Sequence, residues 1–157
     1  MQKITPHLWF DGKAEEAVDF YTSIFRNSTI VNVVRYGEAA PGEKGTVMVV
    51  AFQIDGQTFV ALNGGPQFTF SPAISFAVNC ENQEEVDALW EKLSEGGEKH
   101  NCGWLQDKYG VSWQIIPSAF IEMMHDKDVA KTQQVMQAMM QMQKLDIKTL
   151  REAFDRE

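Results

Sequence analysis

Basic charge is in the minority in this sequence. Its 157 residues carry 14 Lys and Arg against 22 Asp and Glu, a formal charge of −8. Nucleic acid and anionic membrane surfaces are held by clustered Lys and Arg, so neither is an expected partner. Cysteine is nearly absent: Cys80 and Cys102 stand alone, with no CxxC spacing, which suits reduced thiols and a cytoplasmic protein. Long apolar runs are missing too. The longest, Val47 to Phe52, falls far short of the roughly 20 residues of a membrane span. The start, Met1-Gln2-Lys3-Ile4-Thr5-Pro6, has no apolar core and Asp11 follows early, so no secretory signal is expected. Motifs of common chemistries are absent as well: no GxGxxG, HExxH or GxSxG occurs. Gly37-Glu38-Ala39-Ala40-Pro41-Gly42, followed by Glu43-Lys44, misses the phosphate-loop spacing by one residue, and Glu43 would repel phosphate.

What is present is a globular composition, 44% hydrophobic and 23% charged. The length suits one domain, or two small halves sharing a core, and needs neither disulfide nor metal to fold. Ile4 to Phe10 reads as a strand stopped by Asp11-Gly12. Apolar positions 14, 17, 18, 21, 24 and 25 then recur at helical spacing, with Glu15 and Glu16 where the helix dipole favours acids. Strand-like runs follow at about 29–36, 46–54 and 57–63. A polar loop, Gly37 to Gly45, separates the first two, and an Asp55-Gly56 hairpin turn separates the last two.

After Gly64-Gly65-Pro66 the pattern restarts. Residues 72–79 alternate as a strand. Asn82 with Glu85 reads as a helix cap and its partner, and Val86, Leu89, Trp90 and Leu93 mark a helix ended by Gly96-Gly97. Strands are expected near 98–106 and 111–116 around an Asp107-to-Gly110 turn. The Glu-Glu pair at 15–16 recurs at 84–85, each opening a helix after a strand. The reading is two β-α-β-β(-β) units in tandem. Beyond Pro117 the text becomes helical, with a short helix at 120–125, a longer one from Val129, and a last amphipathic segment through Leu145, Ile147, Leu150 and Phe154. Six of the eight methionines lie there. Such a tail packs on its own domain or wraps a partner subunit.

The text from Pro72 to Pro117 is distinctive: Ala73-Ile74-Ser75-Phe76, Cys80-Glu81-Asn82-Gln83-Glu84-Glu85-Val86-Asp87, Gly96-Gly97, and Cys102-Gly103-Trp104-Leu105-Gln106-Asp107-Lys108-Tyr109-Gly110-Val111-Ser112-Trp113-Gln114. With Ile4-Thr5-Pro6 and the Phe20-Tyr21 helix, it resembles the PhnB-like branch of the vicinal oxygen chelate superfamily. That superfamily includes glyoxalase I, bleomycin-resistance proteins and extradiol dioxygenases, and the branch often carries the label 3-demethylubiquinone-9 3-methyltransferase. The resemblance covers about residues 3–117, and the tail is similar too. It implies an α+β fold of paired βαβββ modules forming a curved sheet around a cavity, with C-terminal helices, commonly in a homodimer. The expected organisation is therefore a domain at 1–117, with modules at about 1–65 and 72–117, and a helical tail at 118–157.

Catalytic relatives hold a divalent metal through His and Glu, which must converge at about 2.0–2.2 Å from the ion. The resemblance puts the corresponding positions at Pro6, Ala73, the stretch Phe59 to Leu62, and Gln114, none of which supplies a good ligand. His7 lies one position from the first slot, and one residue of slip in a strand turns a side chain to the opposite face. His7 is read as a displaced ligand or general base, or as a structural histidine. No metal or other cofactor is expected.

Strand parity drawn from those slots places Ser75, Ser112 and Gln114 inward, with Leu8 and Phe10, as the lining of an apolar cavity. Trp104 is read as a stacking wall or a core aromatic. Asn63 is read as lining the mouth or ending its strand, and Cys102 as a nucleophile or an inert buried thiol. An S-adenosylmethionine methyl transfer would call for a Rossmann-type unit with a Gly-rich first turn, which the chain lacks. The expected function is binding of a small apolar or aromatic molecule without a metal. The alternative is a metal-independent enzyme acting on a quinone-like or aromatic substrate in the same cavity.

Overall fold

The structure, a computed structural model, describes residues 2–38 and 42–157. The centre of the polar loop expected at 37–45, and with it the near-miss phosphate loop, lies outside the described residues. The chain divides into two compact units, Met1–Phe70 and Ser71–Glu157. Among the described residues no helix is long and apolar enough to cross a membrane.

The first unit runs β1 (His7–Phe10), α1 (Ala14–Ile24), β2 (Ser28–Arg35), β3 (Val47–Ile54) and β4 (Gln57–Asn63). Its sheet has the order β1-β4-β3-β2, with β1 parallel to β4 and the other pairs antiparallel. Asp55 and Gly56, both at positive φ (51° and 80°), make the tight hairpin between β3 and β4. The apolar stripe of α1, namely Ala14, Ala17, Val18 and Tyr21, is fully buried on one face of this sheet.

Register decides which strand residues share that face. Val50 pairs with Ala61 and Phe52 with Phe59, while Leu8 lies beside Ala61 and Phe10 beside Asn63. Paired residues point the same way. Tyr21 of α1 stacks on Phe52 at 6.2 Å between centroids, and Phe52 stacks on Phe59 at 5.4 Å. The whole row is therefore the helix face. Leu8 and Phe10, expected to line a cavity, instead fill the core under α1, 6% and 3% exposed. The parity argument failed because it started one residue out of step: His7 and Trp9 occupy the other face. Asn63 also stands on the helix face. Its Oδ1 accepts the Ala14 N–H at 2.9 Å and its Nδ2 donates to the Val47 carbonyl at 3.0 Å. It caps a helix whose own N-cap, Lys13, makes no side-chain cap.

The second unit repeats the plan: β5 (Ser75–Cys80), α2 (Gln83–Ser94), β6 (Glu98–Lys99), β7 (Trp104–Gln106) and β8 (Ser112–Pro117). Its sheet order is β5-β8-β7-β6, with β5 parallel to β8. The Asn82 side chain accepts the Glu85 N–H at 2.9 Å, and the Glu85 carboxylate reaches back to the Glu81 N–H at 2.8 Å. The single strand expected over 98–106 is two, because Cys102 and Gly103 take positive φ (62° and 82°) and turn the chain.

Three tail helices belong to the same unit: α3 (Ser118–Met124), α4 (Val129–Met139) and α5 (Ile147–Asp155). They bury Met123, Val135, Leu145 and Leu150 as a core of their own. Gln83 clamps the segment before α5 to the start of α2: its Nε2 donates to the Leu145 carbonyl at 3.0 Å and its Oε1 accepts the Ile147 N–H at 2.8 Å. Lys144 adds an ion pair to Asp87 at 2.9 Å.

Candidate functional site

In the second unit, alternation along β8 separates two environments. Trp113 and Ile115 are buried, 3% and 0% exposed, on the side where α2 packs. Gln114 and Ile116 point the other way. Register places Gln114 beside Trp104 of β7 and beside Ala77 of β5, and places Ser112 beside Ser75 and Gln106. All of these share the face opposite α2. On that face lies a hollow of about 330 Å³, lined by Cys102, Trp104, Gln114, Ile116, Phe120, Met124, Met136, Met139 and Leu145.

Sheet and tail build it together. β7 and β8 form the floor, α3 and α4 bring Phe120 and three methionines, and Leu145 closes one side. The Cys102–Gly103 turn is pinned on both sides. The Cys102 and Gly103 N–H groups donate to the carbonyls of Met142 and Gln143, each at 2.8 Å, and the Gly103 carbonyl accepts the Ile115 N–H at 2.8 Å. A Cβ on Gly103 would press on the Ile115 carbonyl at 3.0 Å and on Leu145 at 3.1 Å, besides requiring a strained φ.

Gln114 is the one amide on the wall. Its Nε2 donates to the Ser75 hydroxyl at 2.9 Å, which fixes the direction of the amide. Of the residues singled out from sequence, the structure brings Trp104, Gln114 and Cys102 around the hollow, with Ser75 behind Gln114. Ser112 shares the face but is buried, 4% exposed, and is not on the hollow's wall. Leu8, Phe10 and Asn63 belong to the helix face of the first unit. The tail residues of the wall were not foreseen. Their signal was the i, i+3 spacing of Met136 and Met139, which puts both on one side of a helix.

The thiols differ. Cys80 is buried, and desolvation, then the nearby Glu85 charge, pushes its thiol up to about 12, so it stays protonated and inert. Cys102 is only partly buried and opens on the hollow.

The donor set does not fit the metal that the fold's catalytic relatives hold. Gln114 offers a neutral amide, with no negative charge for a hard cation, and its Nε2 donates to Ser75. Ala73 and Pro6 carry no donor, and Val60 and Leu62 of β4 present hydrocarbon on the face away from α1. His7 shares that face but is exposed, with Nδ1 3.0 Å from the Thr5 carbonyl. His100 lies 3.6 Å from Glu98 at the surface, and His125 is exposed at the end of α3. Among the described residues no three His, Cys, Asp or Glu side chains converge.

Similar proteins agree with this architecture. The sequence pattern of the family described as 3-demethylubiquinone-9 3-methyltransferase matches residues 2–116. The solved structure of the PhnB protein from Bacillus cereus is 45% identical, covers 74% of this chain and 99% of its own, and superposes with a TM-score of 0.69. Protein PA1353 from Pseudomonas aeruginosa is 20% identical over 74% of this chain and 98% of its own, with a TM-score of 0.64. The fosfomycin resistance protein FosX from Listeria monocytogenes, in complex with Mn(II), is 17% identical over 73% of this chain and 92% of its own, with a TM-score of 0.53. These last two share the fold. No curated protein matches the chain. The family match ends at residue 116, so five of the hollow's lining residues, Phe120 to Leu145, lie beyond it. With two open four-stranded mixed sheets and flanking helices in the glyoxalase/bleomycin-resistance fold, the chain belongs to the PhnB-like family described as 3-demethylubiquinone-9 3-methyltransferase.

Proposed function

We propose that this protein binds a small, largely apolar or aromatic molecule in the hollow of its second unit, and does so without the superfamily's metal. The observation that carries this reading is one oriented amide, Gln114 braced by Ser75, set in a wall of aromatic, aliphatic and thioether side chains. Small-molecule sites have this make-up: apolar surface for affinity and a few fixed polar groups for orientation. The size of the hollow, about 330 Å³, is that of a small ligand pocket. The neutral amide at Gln114 and the absence of a donor at Ala73 support metal-free binding.

Methyl transfer, which the family's name suggests, finds no support in the fold. Each sheet has a single parallel pair, and the turn from β1 to α1 is Asp11-Gly12-Lys13 rather than a Gly-rich loop. A second reading, metal-independent turnover of a quinone-like or aromatic substrate, is favoured by the Cys102 thiol on the wall. The expected assembly is a homodimer, with the exposed Ile30, Val31 and Val33 of edge strand β2 as the contact. Light scattering of the purified protein decides between monomer and dimer.

A thermal-shift screen of neutral aromatic compounds, with mass spectrometry of each hit after incubation, tests the main reading. A ligand at 100 times its dissociation constant adds about 2.7 kcal/mol of stability. Binders should be recovered unchanged, and Gln114→Ala should weaken them. Unaltered affinity in that variant would refute the site, and conversion of the hits would establish the enzyme reading instead.

A further inference from the structure

Sulfur-bearing residues are frequent on the wall of the hollow. Four of its nine lining residues carry sulfur: Cys102, Met124, Met136 and Met139. An apolar pocket can be built from Leu and Ile alone, and then it has no affinity for ions. Thioether and thiolate donors add one, and it is selective: soft ligands of this kind favour Cu(I) over Mg, Ca or Mn.

The backbone brings these residues around one hollow. Met136 and Met139 stand one turn apart on α4, on the same side of the helix. Met124 ends α3 and faces the same hollow. Cys102 arrives from the sheet side, and its turn is tied to the chain just after α4 by the two backbone hydrogen bonds to Met142 and Gln143. The backbone that carries the thiol is thus tied to the segment that follows α4. One thiolate with one monovalent cation is electrically neutral, which suits a wall with a single amide as its other polar group.

We propose that the hollow is a binding site for a soft monovalent metal ion, Cu(I) or its analogue Ag(I), held by Cys102 and by thioethers of Met124, Met136 and Met139. Binding deprotonates the thiol and releases one proton to solvent, with no change of oxidation state. This goes beyond the small-molecule reading and does not depend on it. The site is also distinct in kind from the hard-donor metal site whose positions this chain has lost.

The test is an anaerobic titration of the full-length protein with Cu(I) against a competing chelator, and with Ag(I). Three readouts are taken: metal per chain after desalting, thiolate-to-copper absorption, and melting temperature. About one equivalent should bind, with the protein melting higher and Mn(II) giving no shift. Losing even an outer-shell partner costs roughly 10–100-fold in metal affinity, so Cys102→Ser and the pair Met136→Leu with Met139→Leu should each lose at least about tenfold. Leu keeps the volume and apolarity of Met, so the Leu variant should fold normally and, without metal, melt close to the parent. Substoichiometric binding would overturn the proposal. So would full affinity in the Leu variant, which would reduce the site to a bare thiol, or full affinity in Cys102→Ser.

Discussion

Replacing Asp107 by Asn tests whether one buried carboxylate holds the floor of the hollow in place. Asp107 is 2% exposed. Its Oδ1 accepts the N–H of Tyr109 at 2.8 Å and of Val111 at 3.1 Å, and its Oδ2 accepts the indole N–H of Trp113 at 2.9 Å. The carboxylate therefore closes the turn between β7 and β8 and fixes Trp113, whose neighbour Gln114 faces the hollow. In the Asn variant, the amide oxygen still takes the two backbone donors, but its NH₂ meets the indole N–H donor to donor. A charge-assisted bond contributes about 1.5–3 kcal/mol, and an unpaired buried donor costs a similar amount; these describe largely the same loss, so about 2–3 kcal/mol is expected. For a chain of this length that is a drop of about 5–10 °C in melting temperature. Urea unfolding followed by tryptophan fluorescence measures it. Trp113→Phe removes the donor, so Asp107→Asn should cost less on that background, with a coupling of about 1–2 kcal/mol. A cost under about 0.5 kcal/mol, or purely additive variants, would show that these bonds do not carry the turn.

Other consequences are checked as directly. Leu145, 1% exposed, seats the tail core and one side of the hollow, so Leu145→Ala should cost about 2–5 kcal/mol in urea unfolding and admit bulkier ligands. At Gly97 an added Cβ would lie 2.0 Å from the Gln106 carbonyl, so Gly97→Ala should part β6 from β7 at about 1–3 kcal/mol, seen as faster amide exchange at Gln106, which pairs with Glu98. The Gln83 amide, then Lys144, hold the Asp87 carboxyl below its usual value of 3.8. A depressed folded value means that the stabilisation is present above the unfolded value and lost as pH falls through the folded one. The group is half exposed, so the effect is small; Asp87→Asn should flatten the acid limb of the stability profile and leave neutral pH nearly unchanged.

The elements legible in the sequence were those governed by neighbours in the chain. Ala14, Ala17, Val18 and Tyr21 announced α1 by spacing, Asn82 with Glu85 announced α2 by a local cap, and Asp55-Gly56 announced a hairpin because few other residues accept its positive φ. What escaped depended on distant partners. Asn63 ends a strand, yet its amide belongs to the helix start 49 residues earlier. Leu8 and Phe10 were assigned to the wrong face because parity was counted from Pro6, one residue out of step, and the four residues of β1 offer too few alternations to correct the count. Its facing is imposed by register with β4, where Leu8 meets Ala61. In β8, six residues long and flanked on both sides, the alternation of Trp113 and Ile115 with Gln114 and Ile116 was unambiguous.

The same contrast locates the chemistry of this chain. A βαβββ unit buries one sheet face under its helix and leaves the other to whatever covers it. In the second unit that cover is the tail, and the tail decides what the hollow can hold. The sheet contributes Trp104, Gln114 and Ile116, from the stretch that matches the family. Phe120, Met124, Met136, Met139 and Leu145 come from beyond residue 116 and supply the apolar and sulfur surface. Family membership therefore accounts for the floor and the amide, while the rest of the wall is set by α3, α4 and the turn to α5. On the two proposals made above, a relative with the same floor and a tail of branched aliphatic residues should bind apolar molecules and should have no hold on a soft cation.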